Sequence, residues 1–419
     1  MKRKVGVAAV TAVLFVVVAG PACAAPGSLD SGFSGDGKAV MRFTSGSASA
    51  EAVAMQADGK VVTAGWVDRT ATNEAWALVR YRSNGRLDTS FGNNGRAVTD
   101  WTPGDDEAWG VVVLGTGKIV AGGYAGGKFA AARYTPAGVL DQSFGDHGKV
   151  TIDFTASPDS AWDVAVSEGG RILLAGQSGA TAHSRFALVR LNGNGTLDHT
   201  FGGDGKVTES VFGGPSYVWD VVVRADGSIV ATGNQNGGAF DSVAIAAFHP
   251  NGSPDSGFGD AGAWIADAPN NAYANAIVRL PSGKYMVGAS VQVGSDQFDV
   301  GLFRFGANGH LDTSFGTNGL VARDFASSEF VTDMQRSGSK LVISIERDRN
   351  AQPPQMAIVR LLAGGAPDTG FGNLGLASAG LPDASGEALA VQQDGKPVVA
   401  GDSNSGAADR FAVARFLAT

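Results

Sequence analysis

The 419-residue chain has a single cysteine, five histidines and only 17% charged residues, and no Lys/Arg run occurs after residue 4. One cysteine cannot form an internal disulfide or a multi-thiolate metal site. Phosphate binding needs clustered cations, so a formal charge of −8 without a basic stretch argues against nucleic acid as the partner. Signatures of common chemistries are missing as well: there is no Gly-x-Ser-x-Gly elbow, His-Glu-x-x-His pair, phosphate loop or dinucleotide fingerprint. His147, His183, His199, His249 and His310 share no repeat position and read as loop or surface residues, and no catalytic residue is assigned. Glycine, by contrast, is abundant at 61 residues, about twice the usual ~7%. Collagen would need a three-residue glycine period and disorder would need few apolar residues, yet 44% of the chain is apolar. An all-β protein rich in turns is the remaining class.

Residues 1–24 read as an export signal: Lys2, Arg3 and Lys4 precede an apolar run from Val5 to Ala19, and Ala22-Cys23-Ala24 offers small residues for cleavage. A membrane anchor is the alternative, but the run is short of the ~20 residues a span needs; lipidation of Cys23 is a further one. Cleavage after Ala24 removes the cysteine and three cations, leaving 29 basic against 40 acidic residues, a formal charge of −11. The expected location is secreted, periplasmic or cell-surface.

A motif Leu-Asp-x-Ser-Phe-Gly-x-x-Gly recurs with its Phe at Phe33, Phe91, Phe144, Phe201, Phe258, Phe315 and Phe371, at spacings of 58, 53, 57, 57, 57 and 56. Seven repeats fill residues 25–419, at about 28–85, 86–138, 139–195, 196–252, 253–309, 310–365 and 366–419. Each reads as four short strands; in the second copy strand a spans 95–100, b 109–114, c 118–122 and d 129–134, with a Gly-containing hairpin between b and c. Four strands per unit and seven units predict a seven-bladed β-propeller of four-stranded antiparallel blades. An open solenoid gives no reason for a whole number of units, and a monomer is expected.

The run Gly85-Arg86-Leu87-Asp88-Thr89-Ser90-Phe91-Gly92-Asn93-Asn94-Gly95, with Asp58-Gly59-Lys60 and Ala77-Leu78-Val79-Arg80-Tyr81, resembles the bacterial delta-60 repeat, a β-propeller-type repeat of exported and surface proteins. Pro254 and Pro367 depart from its Leu, and Gly338-Ser339-Lys340 from its hairpin. The resemblance implies a propeller and export, and it brings no catalytic motif.

Arg80, Arg133, Arg190, Arg304 and Arg360 each stand eight residues before Asp88, Asp141, Asp198, Asp312 and Asp368, while Ala247 breaks the column. A charge-assisted pair is expected at each, with ring closure joining Arg415 to Asp30. The d–a and b–c connections are uniform among copies and the a–b and c–d connections vary, so the latter face is the candidate binding surface. At that face strand b begins with Glu51, Trp109, Trp162, Trp219, Asn275, Phe330 or Val331, and Glu387. Tryptophans stack on sugars and attract cations, and carboxylates hold hydroxyls or amines; the same tryptophans can instead fill space between blades. Strand a ends in Asp100, Asp153, Asp267 and Asp324, which are expected at the axial mouth, where carboxylates suit Ca²⁺ or Mg²⁺ although no calcium-loop motif is present. The Asp105-Asp106-Glu107 stretch reads as a solvated tip.

Three functions are compatible with this pattern: a non-enzymatic propeller binding a glycan or other extracellular ligand, a polysaccharide lyase or hydrolase using the axial acids, and an adhesion module with a protein partner.

Overall fold

The computed structural model describes residues 24–419 except 45, 71, 155–157, 180–183, 210–213, 237–239, 269, 350–351, 405, 407 and 419. The export signal expected over 1–24 therefore lies, up to residue 23, outside the described residues, as does His183.

Among the described residues, twenty-eight strands form seven four-stranded antiparallel sheets. Blade one comprises β2 (Ala48–Met55), β3 (Val61–Thr70), β4 (Asn73–Tyr81) and β5 (Arg96–Thr99). Blade two follows with β6 (Asp106–Val113), β7 (Ile119–Ala125), β8 (Lys128–Tyr134) and β9 (Lys149–Ile152), and the pattern continues to the C-terminus. In blade seven, β1 (Lys38–Met41) pairs with β28 (Phe411–Arg415), so the first strand in the chain is the outer strand of the last blade. This closes the ring by hydrogen bonds and removes two free sheet edges.

The blades are offset from the sequence repeats. Strand a of each copy pairs with strand d of the copy before it, as Leu78 with Ala97 and Val79 with Arg96. Each a strand is thus an outer strand and each b strand an inner one, facing the axis. Both sheet faces are buried against neighbouring blades, so the middle strands read as near-continuous apolar runs: Val61 to Gly65 and Ala75 to Tyr81 are buried throughout. Alanine and valine dominate these faces, which keeps adjacent sheets close around the axis.

At the lower face, formed by the uniform connections, Arg80 Nε donates to Asp88 Oδ2 at 2.9 Å, and Arg133, Arg190, Arg304 and Arg360 do likewise at 2.7–2.8 Å. Arg415 meets Asp30 at 2.9 Å across the closure. Two further features make each pair a junction between blades. The guanidinium lies over the motif Phe, at 4.1–4.7 Å from Phe33, Phe91, Phe144, Phe201, Phe315 or Phe371. In all of these arginines but Arg304, Nη1 also reaches a carbonyl of the next turn, as Arg80 to Pro136 and Arg133 to Gly193. A second cation comes from the b–c hairpin: Lys118 to Asp141 and Lys284 to Asp312, both at 2.7 Å. Where Ala247 replaces the arginine, Arg224 of the hairpin covers Phe258 at 5.7 Å instead.

Candidate functional site

Each inner strand carries one β-bulge, and the bulged residue is the column singled out in the sequence. The pairing register skips Glu51, Trp109, Trp162, Trp219, Asn275 and Glu387, each the residue between two paired neighbours. In blade six the skipped residue is Thr332, which corrects the assignment to Phe330 or Val331; Phe330 and Val331 pair with Glu346 and Ile345. A bulge leaves one residue outside the ladder and re-aims its side chain. Here all seven line one axial cavity of about 540 Å³.

The bulge has a sequence cause on the adjacent strand. Gly65, Gly123, Gly176, Gly233 and Gly401 stand opposite it, and a Cβ on any of them would lie 1.8–2.1 Å from a carbonyl oxygen of the inner strand. The absent side chain lets the distorted strand press inward.

The cavity wall divides into two chemistries. On one arc Trp162 and Trp219 stack with ring centroids 4.4 Å apart and planes at 23°, and Tyr217 meets both edge-on at 5.5 and 5.7 Å. The tryptophans are half-buried, so they pack on one another and still face the cavity. Trp109 Nε1 and Asn275 Oδ1 are sealed from solvent with no hydrogen-bond partner among the described residues. On the other arc are carboxylates. Glu51 Oε1 accepts from Trp66 Nε1 at 3.0 Å; burial, reinforced by the Glu107 charge, pushes its carboxyl up to about 6. Burial, then the charges of Glu51, Glu346 and Asp402, raises Glu387 well above the ordinary range. Beyond the cavity lining, burial also lifts Asp402 to about 7, helped by Asp409 and Glu51, and Glu74, on the third strand β4, to about 8, helped by Glu107. Tyr124 donates its hydroxyl to Glu107 at 2.5 Å. Among the described residues no Lys, Arg or His lies within ion-pair distance of Glu51, Glu74, Glu107, Glu346, Glu387 or Asp402.

Sequence reasoning missed the residue after the bulge. Asp163, Asp220 and Asp333 line the cavity and tie adjacent blades: Asp163 Oδ2 accepts from Val221 N at 3.1 Å, Asp220 Oδ2 from Ile277 N at 2.7 Å and Asp333 Oδ2 from Leu389 N at 2.8 Å. Burial deep in the ring raises all three, Asp333 to about 6, and the neighbouring Asp163 charge raises Asp220 further. The dipeptides Trp162-Asp163 and Trp219-Asp220 were the available signal.

Asp100, Asp153, Asp267 and Asp324 are not at the axial mouth. They follow outer strands, are exposed, and do not line the cavity. The expectation placed strand a near the axis because the repeat begins there; the pairing shows that its partner is the preceding blade. Asp153 instead pairs with Lys128 at 2.9 Å, and Asp267 accepts from Ser242 Oγ at 3.1 Å. Nor is 105–107 a solvated tip: Asp106 is fully buried and accepts from Trp101 N, Thr102 N, Thr102 Oγ1 and Gly126 N at 2.9–3.2 Å, holding the loop shut.

No curated protein matches the sequence. Among solved structures, a catalytically inactive virginiamycin B lyase from Staphylococcus aureus with Quinupristin is 10% identical, with 90% of this chain and 98% of that chain covered and a TM-score of 0.50. Drosophila Semaphorin 2a is 9% identical over 91% of this chain and 75% of that chain, with a TM-score of 0.52. At such identities the likeness is one of fold alone. Six stretches of the seven-bladed ring, 56–91, 114–144, 170–201, 224–258, 280–315 and 392–419, match the family model described as a domain of unknown function (DUF5122) beta-propeller.

Proposed function

We propose that the protein is an exported binding propeller that takes an amine-bearing glycan in the axial cavity, entered from the face of the a–b and c–d loops. The observation that carries this reading is the pairing, on seven bulged positions around one axis, of an aromatic stack with carboxylates that have no cation. The Trp162–Trp219 arc offers flat π-faces for the apolar side of a sugar ring. Opposite it, crowded carboxyls hold protons because they lack a positive partner, and an ammonium group would supply one.

Calorimetric titration of the full chain with a glucosamine oligomer, its fully N-acetylated counterpart and a neutral glucan oligomer tests the reading. Preference for the amine-bearing oligomer is expected, weakened at least ~10-fold by Trp162→Ala and by the double variant Glu51→Gln/Glu387→Gln. Equal affinity for all three, or none, rejects it; the latter outcome with capture of a protein partner would favour the adhesion reading. The raised carboxyls also support a second reading, glycan cleavage with Glu51 or Glu387 as proton donor. Turnover of a glycan that is lost in Glu51→Gln but kept in Asp100→Asn would establish it.

A further inference from the structure

Outside the axis, blade five departs from the others at one position. At the start of the third strand, five residues before the arginine column, the other six blades carry Ala75, Lys128, Arg185, Ser242, Gln355 and Arg410, none of them acidic. In blade five it is Asp299, at the start of β20 (Phe298–Phe305), which is only 8% exposed. Across the ladder stands Asp324, just beyond β21 (Leu320–Arg323), and the inner strand of the next blade, β22 (Ser328–Ser337), adds the fully buried Glu329.

One carboxylate oxygen from each of Asp299, Asp324 and Glu329 lies within 4.8 Å of the other two. Glu329 has a structural explanation: like Asp106, it accepts from its own loop, from Phe325 N at 3.2 Å and Ser327 Oγ at 2.5 Å, and Arg347 stands 3.9 Å away. Asp299 has none. Its Oδ1 is sealed from solvent without a hydrogen-bond partner among the described residues, beside a second carboxylate. A buried carboxylate is tolerated when paired or bound to a metal. Arg347 supplies one positive charge against three negative ones, and a divalent ion completes the balance. The spacing also fits, since oxygens on opposite sides of a Ca²⁺ ion stand up to ~4.8 Å apart.

We propose that Asp299, Asp324 and Glu329 form a peripheral divalent-cation site of the calcium class, which pins the loop between blades five and six. Oxygen-only ligands of this charge favour Ca²⁺ over transition metals, and the ion's remaining positions face the exposed Asp324 side, where water completes the shell.

The test is thermal unfolding and calorimetry of the full chain after chelator treatment, with Ca²⁺ added back alone. One Ca²⁺ per chain and a rise in the midpoint on the order of 3 °C at ~100 times Kd are expected. Asp299→Asn and Asp324→Asn should each abolish uptake and the rise. Asp299→Asn keeps shape while removing the lone buried charge, so in chelator its midpoint should equal or exceed that of the parent; this separates loss of binding from loss of folding. No uptake by the parent at millimolar Ca²⁺, as expected if Asp299 is merely protonated, or a rise that persists in both variants, overturns the proposal.

Discussion

Asp141 shows how one short motif joins two blades. Its carboxyl would be raised by burial, but hydrogen bonds from Lys118 and Ser143 and the Arg133 charge hold it far below the ordinary carboxylate range. The two cations are not equivalent. Arg133 is buried, stacks on Phe144 and reaches Gly193 O in the next repeat, whereas the Lys118 side chain is 34% exposed. Arg133→Ala should therefore cost about 3 kcal/mol, because it strips a buried charge and a ring of their partner together. Lys118→Ala should cost under ~1 kcal/mol. Urea unfolding of the two variants decides between this ranking and equal effects, which would mean that the pair is as well solvated as an ordinary surface bridge. The Arg–Asp spacing of eight residues was readable in sequence because both partners sit in one local turn. The lysine and the stacking were not, since they depend on how the b–c hairpin and the motif Phe pack in three dimensions.

At the level of strands, the bulge is the element that makes the site. It requires an inner strand with one extra residue and a neighbour without a side chain opposite it. In blade three the neighbour is Gly176, where a Cβ would meet Ser160 O at 2.0 Å. Gly176→Ala should destabilise by about 1–3 kcal/mol as the strands part. It should also change the tryptophan emission, because Trp162 sits on that bulge and stacks on Trp219. Unfolding measurements and fluorescence together check this; an emission spectrum identical to the parent's would mean that the glycine does not shape the bulge. The same element marks the limit of sequence reading. A polar and aromatic column beginning strand b was visible, because a core position would not accept both Trp and Glu. The phase of the repeat was not: a periodic sequence looks the same whether strand a pairs within its own copy or with the one before. That ambiguity sent Asp100, Asp153, Asp267 and Asp324 to the axis and hid Asp163, Asp220 and Asp333, which are there. In blade six the tighter turn, in which Ser337 pairs directly with Lys340, brings Gly338 closer to the bulge and displaced the alignment, so Thr332 was overlooked.

Across the whole ring, the two faces respond to protons in opposite directions. Carboxyls at the axis and on the strands beside it are raised in the folded protein, with Glu51 and Asp333 at about 6 in the cavity wall and Glu74 at about 8 and Asp402 at about 7 outside it. Such groups bind protons more tightly folded than unfolded, so folding gains as pH falls from about 8 toward the ordinary value of ~4.3. The lower-face carboxyls Asp30, Asp88, Asp141, Asp198, Asp312 and Asp368 are all lowered. Their contribution is complete above ~3.9 and drains away as pH drops through their folded values. The thermal midpoint should therefore climb from pH 8 to a maximum near ~5 and fall steeply below ~4. Circular dichroism melts from pH 3 to 9 measure both limbs, and a midpoint that is flat or highest at pH 8 would contradict the assignment of uncompensated acids to the axis. Glu51→Gln/Glu387→Gln should raise the midpoint at pH 8 and flatten the upper limb while leaving the acid limb in place, because it removes axial repulsion without touching the Arg–Asp junctions. A cationic ligand in the cavity should act like the missing protons, stabilising the protein most at pH 8, where the carboxylates are charged, and least near pH 5, where protons already occupy them.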